Sequence, residues 1–195
     1  TKVSESDVAT FLRDYAIGEL RELVGIRQGV ENTHYLLHTT KNRYILTLYE
    51  KRVHEKDLPF FLGLLRHLSN KNIPCPTPIE SNTGAMLGRL AGRPAAITRF
   101  LEGKAPVFTN PDMCGELGRA LAAIHLAGAD FPLRRPNNLS LAGWNFMAAT
   151  CADRADERLL GLKDVIKNEL VFLNKGWPRD LPQGVVHADL FCDNV

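Results

Sequence analysis

A short polar segment near the end of the chain carries residue types that suit the transfer of a phosphoryl group. In VVHADLFCDNV, residues 185–195, an apolar pair is followed by His187, Asp189 and Asn194. An aspartate on a rigid loop can accept a hydrogen bond from an attacking hydroxyl group and orient it toward a terminal phosphate. An asparagine oxygen is a hard, neutral ligand for magnesium. We expect His187 to brace the loop by hydrogen bonds rather than to act as the base.

The same residues also fit a surface turn, in which Asp and Asn have their ordinary turn roles. The position of the segment favours chemistry over that alternative. Residues 184–187, GVVH, predict a short strand directly before the loop. A loop that hangs from a strand is held rigidly, and catalysis by positioning requires that rigidity.

The elements that would position this loop begin with a helix and three strands. Ser4 and Asp7 predict a capping box at the start of the helix. Its apolar residues recur at helical spacing and are Val8, Phe11, Leu12 and Tyr15. Strand-like runs follow at 19–26, 33–39 and 43–50, and we expect three consecutive antiparallel strands there.

A second helix and two further strands complete the first hundred residues. The helix is predicted over 57–70, with a proline in its first turn. Its apolar face is formed by Leu58, Phe61, Leu62, Leu65 and Leu68. Three alternating prolines make 73–80 extended. The runs at 86–90 and 93–101 predict strands joined by a tight turn at Ala91–Gly92.

Beyond residue 104 the pattern becomes helical. Asn110 and Pro111 predict a cap and a first-turn proline. The predicted buried face of that helix contains Cys114, Leu117, Leu121 and Ile124. A loop-like stretch over 128–145 precedes another helix over 155–174. We therefore expect an α+β fold with two lobes, an antiparallel-sheet lobe over 1–101 and a helical lobe over 102–195.

The composition argues against nucleic-acid and membrane partners. The 195 residues are 45% hydrophobic and 24% charged, which is ordinary for a globular protein. A net charge of +2 without a clustered basic stripe argues against a nucleic-acid or membrane-surface partner. The longest apolar runs fall far short of the roughly 20 residues that span a bilayer. The first residues lack the layout of a signal peptide.

The cysteines indicate a reducing compartment. They are widely scattered and form no Cys-x-x-Cys pair; they are Cys75, Cys114, Cys151 and Cys192. This spacing argues against a disulfide framework or a closed zinc site, so the cytoplasm is the expected location. Their simplest role is that of small buried apolar groups.

Several segments resemble a known family. HADLFCDN resembles the catalytic loop of the aminoglycoside phosphotransferase and choline kinase group, which is itself similar to protein kinases. ENTHY, TLYEKR and DLPFFLGLL resemble the bacterial homoserine kinases of that group, together with IPCPTPI and GRPAAITRFLEG. The resemblance extends from Val24 nearly to the end of the chain. It implies a two-lobed, protein-kinase-like fold.

The resemblance also implies a reaction. The family uses ATP and Mg²⁺ to convert L-homoserine to O-phospho-L-homoserine, on the route to threonine. Asp189 would be the catalytic base and Asn194 a magnesium ligand. The lobe over 1–101 would bind the nucleotide, and the lobe over 102–195 would carry the catalytic loop.

Further nucleotide contacts follow from the resemblance. The loop over 27–32 would cover the phosphates, with Gly29 allowing close approach of the backbone and Asn32 closing the turn. The backbone from Arg99 to Leu101 would pair with adenine. The alternatives are a tight hairpin at the glycine and an edge strand that ends in a turn.

One departure concerns the lysine that protein kinases place on the third strand. Its position falls near Thr47, which cannot replace it. Lys51 or Arg52 would reach the phosphates instead, although solvated charges at a strand end are an equal alternative. The carboxylate that would fix such a lysine has two candidates, Glu55 and Asp57.

The largest departure is the end of the chain. Related kinases have a second acidic metal ligand on a strand beyond the catalytic loop, and no residue here supplies it. We therefore expect a C-terminally incomplete catalytic lobe that is inactive alone. An aminoglycoside or choline kinase and an inactive nucleotide-binding fragment remain alternatives. The sequence does not indicate the oligomeric state.

Overall fold

The computed structural model describes residues 1–27, 31–50 and 53–192. They form two compact units. The first contains Thr1–Leu133 together with the chain from Gly184 onward, and the second contains Arg134–Gln183. The predicted lobes over 1–101 and 102–195 divide the chain elsewhere and stay a prediction.

Among the described residues, five antiparallel strands form one sheet in the order β1-β2-β3-β5-β4. The strands are β1 Leu20–Ile26, β2 Thr33–Thr39, β3 Arg43–Leu48, β4 Gly88–Leu90 and β5 Arg93–Arg99. This confirms the five strands predicted within the first hundred residues. The turn between β4 and β5 is tight because Ala91 and Gly92 both have positive φ, 50° and 74°. That pair of angles defines the primed turn that matches the twist of a hairpin.

The main core lies between the sheet and helix α1, Glu5–Leu12. The Ser4 hydroxyl accepts a hydrogen bond from the Asp7 N–H, and the Asp7 carboxylate accepts one from the Ser4 N–H, as a capping box requires. The strand register places alternate residues on this face, which contributes Leu37, Leu46, Leu48, Ala95 and Ile97. All five are fully buried. Their packing fixes which face of each strand is turned away from α1.

Helix α2, Leu58–Asn70, buries Leu58, Leu62 and Leu68 as its apolar spacing predicts. The extended segment after it runs beside β5. Ile79 N–H donates to Ile97 O at 2.8 Å, and Arg99 N–H donates to Thr77 O at 2.9 Å. The alternating prolines therefore place this segment along the sheet without ending the pairing of β5.

Helix α3, Pro111–Gly128, begins as predicted, since Asn110 Oδ1 accepts a hydrogen bond from Met113 N–H at 2.8 Å. The prediction of its buried face was partly wrong. Leu117, Leu121 and Ile124 are half-buried, while Cys114 is exposed. Burial is confined to the last turn, at Ala127 and Gly128, because α3 contacts α2 at that end.

A latch of polar groups joins α2 to the end of α3. His67 Nε2 lies 3.0 Å from both Ala127 O and Asp130 Oδ1. Lys71 forms an ion pair with the same carboxylate. The His67 ring also packs against the Phe131 ring, with centroids 5.3 Å apart. These contacts hold the end of α3 against α2.

The second unit holds helices α4, Leu141–Cys151, and α5, Leu162–Gly176, with a 3-10 turn over Ala152–Glu157 between them. The prediction of a loop to residue 145 was wrong. Helix α4 is apolar around its circumference, so no amphipathic period revealed it. The predicted helix over 155–174 begins later, because Gly161 takes a left-handed φ of 85° directly before α5.

Two further expectations are corrected. Residues 184–187 form no strand, because no described strand lies beside them to pair with. Cys114, Cys151 and Cys192 are exposed and Cys75 is half-buried, so the expected burial fails for three of the four. No described helix combines the length and apolarity that crossing a membrane would take.

Candidate functional site

The backbone around Asp189 is sharply bent. Ala188, directly before it, has φ 63°, in the left-handed region that residues with a Cβ atom adopt at a cost of about 1 kcal/mol or more. Directly after it, Phe191 N–H donates to Asp189 O at 3.1 Å. Asp189 itself is exposed. Strain beside an exposed carboxylate is typical of a functional loop.

An apolar contact anchors the start of this loop in place of the predicted strand. A Cβ atom built on Gly128 would lie 3.4 Å from the Cβ atom of Val185. Gly128 is buried in the last turn of α3, so the chain at Val185 lies directly against the helix end. The latch at His67 and Asp130 holds the same end of α3 to α2. The loop is thereby tied to α3 and, through it, to α2.

The two other polar residues of the motif are less defined. His187 is exposed and makes no hydrogen bond to the part of the chain that the structure describes. Its bracing role stays a prediction. Asn194 lies outside the described residues, and so do Gly29 and Lys51 of the predicted nucleotide contacts.

Asn32 ties the end of the 27–32 loop to the end of β3. Its Oδ1 accepts a hydrogen bond from Glu50 N–H at 3.2 Å. The Thr33 hydroxyl donates to Glu50 Oε1 at 2.8 Å, and Arg93 Nε lies 3.2 Å from Glu50 Oε2. The Asn32 side chain therefore joins the start of β2 to the end of β3, and its role in closing the 27–32 turn stays a prediction.

Among residues 99–101, the span predicted to pair with adenine, one backbone donor has no acceptor in the described part of the chain. Arg99 N–H and Phe100 N–H donate to Thr77 O and Arg43 O, at 2.9 and 3.4 Å. Leu101 is 48% exposed, and its N–H has no acceptor among the described residues. Of the backbone from Arg99 to Leu101 that is predicted to pair with adenine, Leu101 thus has the N–H that could donate to it.

Sequence reasoning missed a polar pair on the sheet face turned away from α1. His34 on β2 lies opposite Thr47 on β3, and Thr47 lies opposite Ala96 on β5. His34 Nδ1 is 3.0 Å from Thr47 Oγ1. Burial lowers the pKa of His34. The only signal in the sequence was His34 as the second residue of a predicted strand. A histidine in such a place has a structural role as often as a functional one.

Glu55 and Asp57, the two candidate carboxylates for fixing a phosphate-binding lysine, lie just before α2. Glu55 forms a two-pronged ion pair with Arg89 Nη2, at 2.9 and 3.2 Å. It is therefore joined to β4. Asp57 is half-buried at the start of α2. Lys51 and Arg52 both lie outside the described residues, so the lysine's partner stays open.

Two cavities lie away from these residues. One of about 320 Å³ is lined by α4 and α5, including Asn145, Lys163 and Leu170. Another of about 280 Å³ lies between α1 and the 81–89 segment and includes Tyr15 and Arg89. Neither is lined by a predicted site residue. The described residues also gather no group of three His, Cys, Asp or Glu side chains able to hold a metal ion.

Comparison with known proteins gives a family match and close relatives. The phosphotransferase enzyme family matches residues 22–195. Homoserine kinase of Rhizobium meliloti (strain 1021) is 52% identical over all 195 residues. Homoserine kinase of Bradyrhizobium sp. (strain ORS 278) is 53% identical over the same length. The chain spans 60% of the length of each.

A solved structure supplies the fold. Spectinomycin phosphotransferase, crystallised with ADP and spectinomycin, matches the whole chain with a TM-score of 0.71. The match covers 65% of that protein at 12% identity. Identity this low supports the fold alone, and it confirms the predicted α+β, kinase-like architecture.

Proposed function

Since the chain belongs to the phosphotransferase enzyme family, we propose that its protein is a homoserine kinase that transfers the terminal phosphoryl group of ATP to L-homoserine. The observation that carries this proposal is identity of 52–53% to curated homoserine kinases over the full 195 residues. Because the chain spans 60% of those relatives, the activity is proposed for the whole protein.

Asp189 is proposed as the catalytic base. It would accept a hydrogen bond from the homoserine hydroxyl and aim that oxygen at the terminal phosphorus atom. Its exposure leaves the carboxylate accessible to a substrate, and the anchored, bent backbone on either side restricts where it can lie. Catalysis of this reaction depends mainly on such positioning.

The nucleotide is proposed to lie along β3 on the face turned away from α1. Leu101 N–H would donate to adenine at one end, and the 27–32 loop, closed by Asn32, would cover the phosphates at the other. The pairs Tyr44–Arg99 and Thr33–Leu48 mark the two ends of this span. Tyr44 and Leu48 are four steps apart along β3, a distance of roughly 14 Å, which suits an extended nucleotide.

Magnesium is proposed as the metal cofactor, with Asn194 as a ligand and Lys51 near the phosphates. Amide and carboxylate oxygens are the donors that magnesium prefers. When bound, the ion would neutralise charge on the phosphate oxygens. We place the protein in the cytoplasm, where its four unpaired cysteines stay reduced.

A substrate comparison tests the proposal. The whole protein should consume ATP in a magnesium-dependent manner with L-homoserine, and much more slowly with choline or kanamycin. O-phospho-L-homoserine should accumulate in equal amount to ADP. Preference for choline or kanamycin would contradict the assignment of the acceptor, while leaving the phosphotransferase family intact.

A further inference from the structure

The sheet face turned away from α1 carries a cross-strand pair near the 27–32 loop. His34 and Thr47 point to the same face, because directly opposed residues of antiparallel strands share a side. Leu46, next to Thr47 on β3, and Ile97, next to Ala96 on β5, are buried in the core with α1. Because adjacent strand residues point to opposite faces, His34 and Thr47 lie on the face turned away from α1. His34 Nδ1 and Thr47 Oγ1 are 3.0 Å apart.

The pair lies at the end of the sheet where the phosphates are proposed. It is one residue pair away from Thr33 and Leu48, where β2 begins after the loop. The other described charged or titratable groups on this face of β1 to β3 lie at the opposite end. They are His38, which is 3.8 Å from Glu22, and Arg43, which is bonded to Glu102.

The contact with Thr47 orients the His34 imidazole and determines which ring nitrogen carries the proton. When the Thr47 hydroxyl donates to Nδ1, the neutral ring carries its proton on Nε2. Burial lowers the pKa of His34, which favours that neutral form at neutral pH. The ring then presents one N–H donor beyond the threonine, and Ile26 is its neighbour on β1.

We propose that His34, oriented by Thr47, donates its Nε2 hydrogen to a phosphate oxygen of the bound nucleotide. This inference rests on the proposed function, because it takes the nucleotide to lie along β3. It makes His34 a phosphate-binding residue, and Thr47, near which protein kinases have their strand lysine, the residue that positions it. No covalent step is assigned to it.

Binding measurements with two ligands test the contact. Calorimetric titration of the whole protein should give an ATP affinity about tenfold weaker for His34→Leu, because one hydrogen bond to a charged group is lost. Adenosine affinity should not change. His34→Gln should recover most of the ATP affinity, since its amide nitrogen reaches the position of Nε2. His38→Gln, on the same face of the same strand, is the matched control and should bind both ligands normally.

Nitrogen NMR of the unsubstituted protein gives an independent reading that does not depend on the folding of a variant. The Nε2 resonance of His34 should shift on addition of ATP and not on addition of adenosine. Thr47→Val should abolish the preference for the Nε2-protonated tautomer and weaken ATP binding. Normal ATP affinity in His34→Leu, or an unchanged Nε2 resonance with ATP bound, would overturn the inference alone. Failure of the unsubstituted protein to bind ATP would overturn the proposed function and this inference with it.

Discussion

The guanidinium carbon of Arg43 lies 4.6 Å from the centre of the Phe100 ring. The same side chain forms an ion pair with Glu102, and the Arg43 carbonyl accepts the Phe100 N–H. The first residue of β3 thus clamps the segment that follows β5. Because Leu101 lies between the two clamped residues, the clamp sets the direction of its free N–H.

Loss of this clamp should weaken binding of the adenine moiety. A cation–π contact of this kind contributes about 0.5–1 kcal/mol, so Arg43→Met should weaken nucleotide affinity about two- to fivefold. Titration should show the same loss for adenosine and for ATP, unlike the loss at His34. Arg89→Met, which breaks an exposed ion pair on β4, serves as the control. Unchanged adenosine affinity in Arg43→Met would show that the clamp does not contribute to adenine binding.

The left-handed backbone at Ala188 predicts an asymmetric response to substitution. Ala188→Gly should retain turnover, because glycine adopts a φ near 63° without strain. Ala188→Val should lower turnover at least tenfold, since a β-branched residue is strongly disfavoured there and the loop would shift. Steady-state kinetics measures both effects. Ala122→Val, on the exposed surface of α3, is the control. Normal turnover in Ala188→Val would show that this backbone geometry is not required.

The latch between α2 and α3 predicts a dependence of stability on acid pH. The hydrogen bond from Lys71, followed by that from His67, holds the pKa of Asp130 below its ordinary value of 3.8. A lowered pKa means that the carboxylate contributes stability above pH 3.8, which is lost as pH falls through the lower folded-state value. Thermal unfolding from pH 6 down to pH 3 should therefore show a smaller loss of Tm in Asp130→Asn than in the unsubstituted protein. Asp180→Asn should retain the full loss, and an equal loss in both variants would rule out the latch as its source.

Much of the fold could be predicted because its signals are local. Alternation of side chains and the turn at Ala91–Gly92 indicated β1 to β5, and the Ser4 cap marked α1. The sequence of helix α4 shows no amphipathic period, because its own apolar residues lie on all sides of the helix. Residues 184–187 form no strand because pairing needs a neighbour, which an apolar run alone cannot reveal.

The candidate site was predictable only where a motif carried it. Asp189 stood out through its spacing from His187 and Asn194, and Asn32 through the resemblance of the 27–32 loop to the phosphate-covering loop of the family. The His34–Thr47 pair depends on the register of β2 against β3, which joins residues 13 positions apart. Register is fixed by packing on the opposite face, so the sequence of either strand alone did not show it.

The second unit should be the less stable part of this chain. Of the described buried apolar residues, Ala155 is the one that lies within Arg134–Gln183. Large apolar side chains there are exposed, among them Phe146, Leu160 and Phe172. Little apolar burial gives little stabilisation.

Both tryptophans of the chain, Trp144 and Trp177, lie in this unit with ring centroids 5.4 Å apart. Tryptophan fluorescence of the 195-residue chain should therefore report melting several degrees below the main calorimetric transition, which the sheet dominates. Trp177→Phe should preserve that early transition, reported by Trp144 alone. Coincident fluorescence and calorimetric transitions would show instead that the two units unfold together.

The most direct test of the central claim is the turnover of Asp189→Asn in the whole protein with ATP, magnesium and L-homoserine. The account predicts a fall in kcat by at least about 10³-fold with ATP affinity unchanged, because the hydroxyl loses its orienting base while the nucleotide contacts lie elsewhere. Asp180→Asn, an exposed aspartate outside the loop, should leave kcat as it is. Turnover of Asp189→Asn within a few fold of the unsubstituted protein would contradict the assignment of this loop as the catalytic centre.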